Sequence, residues 1–293
     1  MDLDQLDSGL VAVGVDGSAE SLAAARYAVR AASDRGADLL LVHAYEMPSV
    51  SVPVEHEILD DFRQRARQLV ADVAAKLVVP SHMRIESLIQ EDLPAPLLLR
   101  VAQRVPFLAV GQDHLTWGER LMFGRVASQV AERSDCPVAV VPGGWRATKT
   151  SAHHPVVVAL EGTSPARSAL QIAFEQAVLL GTGLVALHAA PHGAPATEVA
   201  RQRADQAELL AGWKEDYPDV TVESLIVLGD QDANLLRWSK AAAILVLERP
   251  HRHWWNPWTH SVASAVLKQT HCPLIIVPQQ SRSEPPLPDP MTL

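Results

Sequence analysis

Short apolar runs recur along the chain, and longer segments with the apolar spacing of helices separate them. Runs such as VAVG at 11–14, LLLVHA at 39–44 and VAVV at 138–141 show no alternation with polar residues. Strands without this alternation are typical of parallel sheets whose two faces are both covered by helices. The order strand, helix, strand, long connection with a helix, strand, helix, strand, helix, strand occurs twice. The pattern therefore predicts two doubly wound α/β domains.

The helix after the first apolar run has clear start and stop signals. An alanine-rich segment over 20–36 follows Ser18, which can cap a helix, and ends at Gly36, which suits the residue after a helix. The matching segment of the second half is expected to run from Ser164 to Gly181 in the same way. Both segments thus predict a helix directly behind the first strand of their half.

An internal repeat organises the chain. VVALEGTS (157–164) repeats VAVGVDGS (11–18), with Glu161 145 residues after Asp16, and LVALHA (184–189) repeats LLLVHA 145 residues later. This spacing places Glu161 opposite Asp16 and His188 opposite His43. ESLI also occurs twice, at 86–89 and 223–226. The chain is therefore a duplication.

Later in the repeat the spacing changes. HCPLIIVP (271–278) follows DCPVAVVP (135–142) by 136 residues, so the length change is expected between the second and third strands. At this spacing Gly111 faces Leu247, and Gly124 faces His260.

The last strands of the two halves begin with prolines. Pro137 and Pro273 favour positions at sheet edges, because proline cannot donate to a strand ladder. Edge strands need cover, and the two last strands can cover each other. We therefore expect self-association through the last strands, as a pseudo-dimer within the chain.

The chain length suits two domains. For 293 residues, a first domain at 1–143 and a second at 154–278 agree with the usual size of a single core. Residues 144–153 are predicted to be the linker. Residues 279–293, which are rich in proline, are predicted to be a disordered tail.

Charge and hydropathy narrow the function classes. A formal net charge of −9 argues against binding to nucleic acid or to an anionic membrane, since both need a basic surface. The apolar runs are too short to cross a bilayer, and the acidic start MDLDQLDSG lacks the features of a signal peptide. We therefore expect a cytoplasmic protein. Cys136 and Cys272 are expected to be small buried side chains.

Candidate ligand-binding residues follow the predicted strands. In open parallel sheets, ligands bind at the carboxyl ends of the strands where the winding reverses. Gly14 and Asp16 lie at the end of the first strand, and Gly111 lies directly after a later one, with Gly124 before a helix. Such glycines allow backbone amides and a helix N-terminus to face phosphate oxygens. Taken alone, the DGS stretch is equally typical of a turn with a helix cap.

The ordered set of motifs resembles the universal stress protein family in its tandem form. VDGS, the alanine-rich helix, the later glycine loop and CPVAVVP carry this resemblance over about residues 9–143 and 154–278. It implies a Rossmann-like fold of the adenine nucleotide alpha hydrolase type. Family members that bind ATP have G-x2-G-x9-G-[ST] in the loop and an Asp near adenine at the end of the first strand.

The first copy matches this ATP motif in part. Asp16, Gly111 and Gly124 match, whereas His114 stands in place of the second glycine and Arg125 in place of the Ser or Thr. A side chain at 114 occupies space that the backbone needs near phosphates, although Arg125 can itself pair with phosphate. Two alternatives stay open: the site is damaged, or it is rebuilt around His114 and Arg125.

The resemblance implies an adenine nucleotide, ATP, as the ligand, and leaves open whether Mg²⁺ accompanies it. The expected ligand-contacting residues are Gly14, Asp16, Ala44, Gly111, Gln112, Asp113, His114, Leu115, Thr116, Trp117, Gly124, Arg125 and Val126.

The second copy departs further from the motif. Glu161 replaces the Asp, and the three glycine positions hold Leu247, Pro250 and His260, with only Ser261 kept. The loop 251–260 contains Trp254, Trp255 and Trp258, and we expect it to pack on its own domain or to form a contact surface. The histidines His251, His253 and His260, with His271, have no carboxylate or cysteine partners at a helical spacing, so no metal site is expected there.

Three functions remain after these observations. The resemblance implies a nucleotide-binding regulatory or stress-response protein. The alternative is an interaction module of the same fold that does not bind ATP, with a protein partner that the sequence does not name. The third is a weak ATPase, for which the chain offers no nucleophile–base pair and no Walker loop. An enzyme is therefore not expected. His43 and His188 are interpreted as structural.

Overall fold

The computed structural model describes residues 3, 6, 9–47, 56–112, 126–146, 154–160, 166–249 and 262–279. Several predictions concern residues outside these ranges, and they stay predictions. They are those for the glycine loop between Gln112 and Val126, for most of the linker, for the tryptophan-containing loop 251–260, and for the tail beyond residue 279.

The first copy alternates strands and helices as the sequence predicts. Its elements are β1 Leu10–Gly14, α1 Ala19–Arg35, β2 Asp38–Tyr45, α2 His56–Ala75, β3 Ile85–Glu91, α3 Pro94–Ala102, β4 Phe107–Gly111, α4 Val126–Arg133 and β5 Val138–Val141.

The second copy repeats this order. Its elements are β6 Val156–Ala159, α5 Arg167–Leu180, β7 Leu184–Ala190, α6 Ala196–Asp216, β8 Val222–Leu228, α7 Gln231–Trp238, β9 Ile244–Glu248, α8 Val262–Gln269 and β10 Leu274–Val277.

One continuous sheet joins the two copies. The strand order is β3-β2-β1-β4-β5-β10-β9-β6-β7-β8, and the described pairs are parallel except for β5 with β10. In that central antiparallel pair, Ile275 faces Ala139. The order is the same when read from either end, so the copies are related by an approximate two-fold axis at the centre. The predicted pseudo-dimer through the last strands is confirmed.

Helices cover both faces of the sheet and create two apolar cores. One core contains residues of α1, α2, α5 and α6, and the other contains residues of α3, α4, α7 and α8. The central strands contribute to both; in β1, for example, Val11 and Val13 belong to one core and Leu10 and Ala12 to the other. This arrangement explains why the strands lack polar alternation, and it confirms the doubly wound fold.

The two predicted helices behind β1 and β6 differ at their starts. α1 begins at Ala19, Ser18 Oγ accepts from the Ser21 amide at 3.0 Å, and Gly36 takes a left-handed conformation with φ 63°. α5 also ends as predicted at a left-handed Gly181. Its predicted start at Ser164 is wrong, because α5 begins at Arg167.

The cysteine thiols are buried, as predicted. Cys136 is 6% exposed and Cys272 is 4% exposed, and both are free. Burial raises the pKa of the Cys136 thiol to about 11 and that of Cys272 to about 12. Both side chains are therefore protonated, inert parts of the core at neutral pH.

The chain between the copies is anchored at its beginning. Trp145 packs edge-on against Tyr27 of α1, with ring centroids 5.3 Å apart. The segment predicted as a linker thus starts with a side chain that belongs to the core. Among the described residues, no helix has the length and apolar composition needed to cross a bilayer.

Candidate functional site

A cleft of about 330 Å³ opens at the carboxyl ends of β1, β2 and β4 in the first copy. It lies where the winding reverses, because β1 is followed in space by β4 on one side and by β2 on the other. The described residues that line it are Gly14, Val15, Asp16, Ser18, Glu20, Ser21, Val42, His43, Ala44, Pro94, Leu97, Leu98, Val110, Gly111, Gln112 and Val126.

Asp16 is fixed at one side of the cleft by the turn into α1. Its Oδ1 accepts from the Ser18 amide at 2.9 Å and from Ser18 Oγ at 2.5 Å, and its own amide donates to Ser21 Oγ at 3.3 Å. Partial burial raises the pKa of Asp16, but the hydrogen bonds from the two serines outweigh burial and lower it. Asp16 is therefore ionised at neutral pH, and these hydrogen bonds fix its position.

His43 is committed to the backbone on the adjacent strand. Its Nδ1 lies 2.7 Å from the Val15 carbonyl oxygen, and the Val15 amide donates to the Val42 carbonyl at 2.9 Å. His188 makes the equivalent contact to the Leu160 carbonyl oxygen at 2.9 Å. Both histidines hold a strand end in place, which agrees with their interpretation as structural.

Gly111 allows β4 to approach α1 closely. A Cβ on this residue would lie 2.6 Å from the backbone carbon of Glu20 and 2.8 Å from the Ser21 amide nitrogen. Real Cβ atoms do not approach backbone atoms so closely, and the backbone here cannot move aside as a flexible side chain can. The glycine therefore brings the first turn of α1 against the end of β4 and sets the width of the cleft.

One wall of the cleft is apolar and was missed by sequence reasoning. Pro94, Leu97 and Leu98 of α3 form it, and Leu98 also lies 3.0 Å from the position of a Cβ on Gly14. The expected strand order could have indicated this wall. A right-handed crossover from β3 to β4 must carry its helix across β2 and β1, so the apolar face of α3 covers their carboxyl ends.

The described charges of the cleft are acidic. Asp16 and Glu20 line it, and its described lining includes no lysine or arginine. Carboxylates can accept hydrogen bonds from amino groups or ribose hydroxyls, but they repel phosphate. In the described part of the cleft, the N-terminus of α4 at Val126 is the feature suited to negative charge.

The second copy differs at the position of Gly111. Gly111 pairs with Val141, and the equivalent pair in the second copy joins Glu248 with Val277. The predicted match of Gly111 with Leu247 is therefore wrong by one residue, because the spacing is still 137 at β4 and falls to 136 only before β5. Leu247 is buried in β9.

Glu248 gives a reason for the late start of α5. A helix turn placed where α1 begins in the first copy would meet the Cβ of Glu248, as a Cβ on Gly111 would meet α1. Instead Ala166 takes a left-handed φ of 39°, and α5 begins at the next residue, Arg167. Among the described residues, the second copy therefore carries a side chain at the strand end where the first copy has Gly111.

The profile of the universal stress protein family matches residues 10–142 and 153–278. Together these segments cover most of the chain. The chain belongs to the universal stress protein family. A universal stress protein of Mycobacterium tuberculosis is 30% identical over 288 residues, which cover 92% of this chain and 97% of the relative. One from Mycolicibacterium smegmatis is 29% identical over 283 residues, covering 91% and 96%.

A solved structure shares the fold of this universal stress protein over most of the chain. The crystal structure of a universal stress protein from Archaeoglobus fulgidus has a TM-score of 0.69 at 15% identity, covering 94% of this chain and 98% of its own. A universal stress protein solved in complex with cAMP covers 46% of this chain and 97% of its own, at 28% identity and a TM-score of 0.32. The bound nucleotide is a property of that protein.

The predicted ligand-contacting residues of this universal stress protein divide into two groups. Six of them line the one cleft, namely Gly14, Asp16, Ala44, Gly111, Gln112 and Val126. The others lie outside the described residues, namely Asp113, His114, Leu115, Thr116, Trp117, Gly124 and Arg125. Ligand contact by either group stays a prediction.

The histidines considered for a metal site also lie mostly outside the described residues. Of these histidines, His271 is described, and its Nδ1 lies 3.3 Å from Ser239 Oγ. Within the described ranges, no group of three or more His, Cys, Asp or Glu side chains is arranged to hold a metal ion.

Proposed function

We propose that this universal stress protein binds an adenine nucleotide, ATP, in the cleft of its first copy and acts as a cytoplasmic regulatory protein of the stress response. The observation that carries the proposal is the close contact of Gly111 with the first turn of α1, which forms the cleft at the strand ends. The ATP motif of the family resemblance places its first glycine at this residue.

The chemistry of the cleft supports a base or ribose at the Asp16 side. The ionised carboxylate accepts hydrogen bonds from amino and hydroxyl groups, and the wall of α3 offers apolar contact to a flat ring. The phosphates then extend toward the N-terminus of α4, where first-turn amides and the helix dipole suit anions. Because the described lining is acidic, we propose Arg125 as the cation that balances the phosphates, with Mg²⁺ as a second source of positive charge.

Substituting the two ends of the proposed site should weaken ATP binding. We expect Asp16→Ala and Arg125→Ala each to weaken binding about tenfold to a hundredfold, because a hydrogen bond to a charged group contributes roughly 1.5–3 kcal/mol. Isothermal titration calorimetry with ATP, with and without MgCl₂, measures this. If Asp16→Ala weakens ATP binding and Arg125→Ala leaves it unchanged, the proposed role of the arginine is contradicted.

The second copy offers a matched control. Glu161 stands where Asp16 stands in the first copy, so Glu161→Ala removes a comparable acid from a copy that lacks the equivalent of Gly111. We expect this variant to bind ATP like the wild type. Equal weakening by Glu161→Ala and Asp16→Ala would place the ligand elsewhere.

One observation favours a second candidate, an interaction module without ATP. In the second copy the position of Gly111 holds Glu248, and α5 begins at Arg167. A copy with this change can serve as a contact surface. Absence of ATP binding by the wild type at millimolar concentration would support this candidate for the whole chain.

A further inference from the structure

A buried side chain at the cleft reaches across to the other copy. Gln112 follows Gly111, lines the cleft and is 2% exposed. Its backbone amide continues the sheet by donating to the Val141 carbonyl at 2.8 Å, and its Nε2 donates to the Leu267 carbonyl of α8 at 2.7 Å. A residue that lines the first copy's cleft is therefore bonded directly to the last helix of the second copy.

The acceptor of this bond is a carbonyl that its own helix leaves free. Leu267 lies in the last turn of α8, where carbonyls have no intrahelical donor. The next possible donors are used elsewhere, since the Thr270 amide donates to Val266 and the His271 amide donates to Ser239 Oγ. Gln112 thus caps α8 from the other copy, and its loss would leave a buried acceptor unsatisfied.

The two-fold related position makes a different cross-copy bond. Arg249 is the equivalent of Gln112, since its amide donates to Val277 as that of Gln112 donates to Val141. Its Nη1 donates to the Ser134 carbonyl, directly after α4, at 2.7 Å. Each copy therefore holds the end of the other's last helix, but only Gln112 also lines the cleft that begins at Gly111.

We infer that Gln112 is a positioning residue through which the second copy holds the end of β4, so that nucleotide binding in the first copy is coupled to the order of α8. The nucleotide part of this inference rests on the proposed function. Its consequence is that the first copy's cleft is complete only when the second copy is docked beside it.

Gln112→Leu and the matched control Arg249→Met in the full chain separate this role from general stabilisation. Each variant removes a cross-copy bond of 2.7 Å, but of the two residues only Gln112 lines the cleft. We expect Gln112→Leu to weaken ATP binding about tenfold in calorimetry and Arg249→Met to leave it within about twofold, at similar melting temperatures. Equal affinities for the two variants would overturn the inference.

Hydrogen–deuterium exchange tests the coupling with and without nucleotide. Without nucleotide, Gln112→Leu should speed exchange of amides in both β4 and α8, whereas Arg249→Met should speed exchange in β9 and in the last turn of α4, next to Ser134 and away from the cleft. Added ATP should slow exchange in α8 of the wild type and Arg249→Met, but not of Gln112→Leu. An α8 unaffected by Gln112→Leu would refute the inference. If the wild type binds no ATP, the proposed function fails, and exchange of the nucleotide-free proteins alone decides whether Gln112 positions β4 and α8.

Discussion

Replacing Gly111 with alanine is expected to lower the free energy of unfolding by about 1–3 kcal/mol and to weaken ATP binding. The added Cβ would lie 2.6 Å from the backbone of Glu20, so the first turn of α1 has to move away from β4. That movement carries Asp16, which is bonded to Ser18 and Ser21 at the same turn. Urea denaturation and calorimetry on one preparation measure both effects.

Gly144→Ala is the control for this substitution. A Cβ on Gly144 meets no heavy atom within 4 Å, and its backbone has no left-handed φ. We expect its free energy of unfolding and its ATP affinity to match those of the wild type. A harmless Gly111→Ala would mean that β4 and α1 are not held together as the structure has them.

Replacing Phe174 with alanine is expected to destabilise the second copy by about 3–5 kcal/mol. Phe174 is fully buried in α5 and stacks on Trp213 and Tyr217 of the neighbouring α6 segment, with ring centroids 5.6 Å and 5.0 Å away. Truncation leaves a cavity and removes both ring contacts. Chemical denaturation followed by tryptophan fluorescence reports the loss, because Trp213 is one of the stacked rings.

Leu179→Ala provides the comparison on the same helix. Leu179 is 38% exposed, so its truncation should cost less than about 1 kcal/mol. A loss of stability as large as that of Phe174→Ala would show that the exposed face of α5 is covered in solution. Without denaturant, Phe174→Ala and Leu179→Ala should both bind ATP as the wild type does, since neither residue lines the first copy's cleft.

The fold could be predicted from the sequence because its signals are local and occur twice. Apolar runs without alternation define buried strands, and Ser18 and Gly36 define the ends of α1 by their own backbone and side-chain bonds. The prolines before β5 and β10 indicated edges that pair with each other. Each of these features is decided by a few neighbouring residues, so a single sequence is enough.

Features that depend on contacts between distant elements could not be predicted in the same way. The match of Gly111 with Glu248 needed the strand register, because the spacing between the copies changes by one residue between β4 and β5. The bond from Gln112 to Leu267 joins residues 155 positions apart in different copies, and neither residue is unusual in the sequence.

The candidate site could be predicted only in part, because one of its walls depends on contacts between distant elements. Glycines and acids at strand ends are visible in the sequence, and Gly14, Asp16 and Gly111 do meet at one cleft. The wall formed by Pro94, Leu97 and Leu98 has an ordinary helical apolar pattern, which gives no sign that part of it faces a ligand cleft. Its role follows only from the path of α3 over β1 and β2.

The number of ATP molecules bound by each chain tests whether the protein has a single nucleotide site, in the cleft of the first copy. The wild-type protein as purified is heat-treated, and its supernatant is analysed for released nucleotide by chromatography. A second sample, stripped of any bound nucleotide, is titrated with ATP by calorimetry. We expect one site per chain, with an affinity that Asp16→Ala weakens about tenfold to a hundredfold and Glu161→Ala leaves unchanged. Two sites per chain, or none at millimolar ATP, would contradict this expectation.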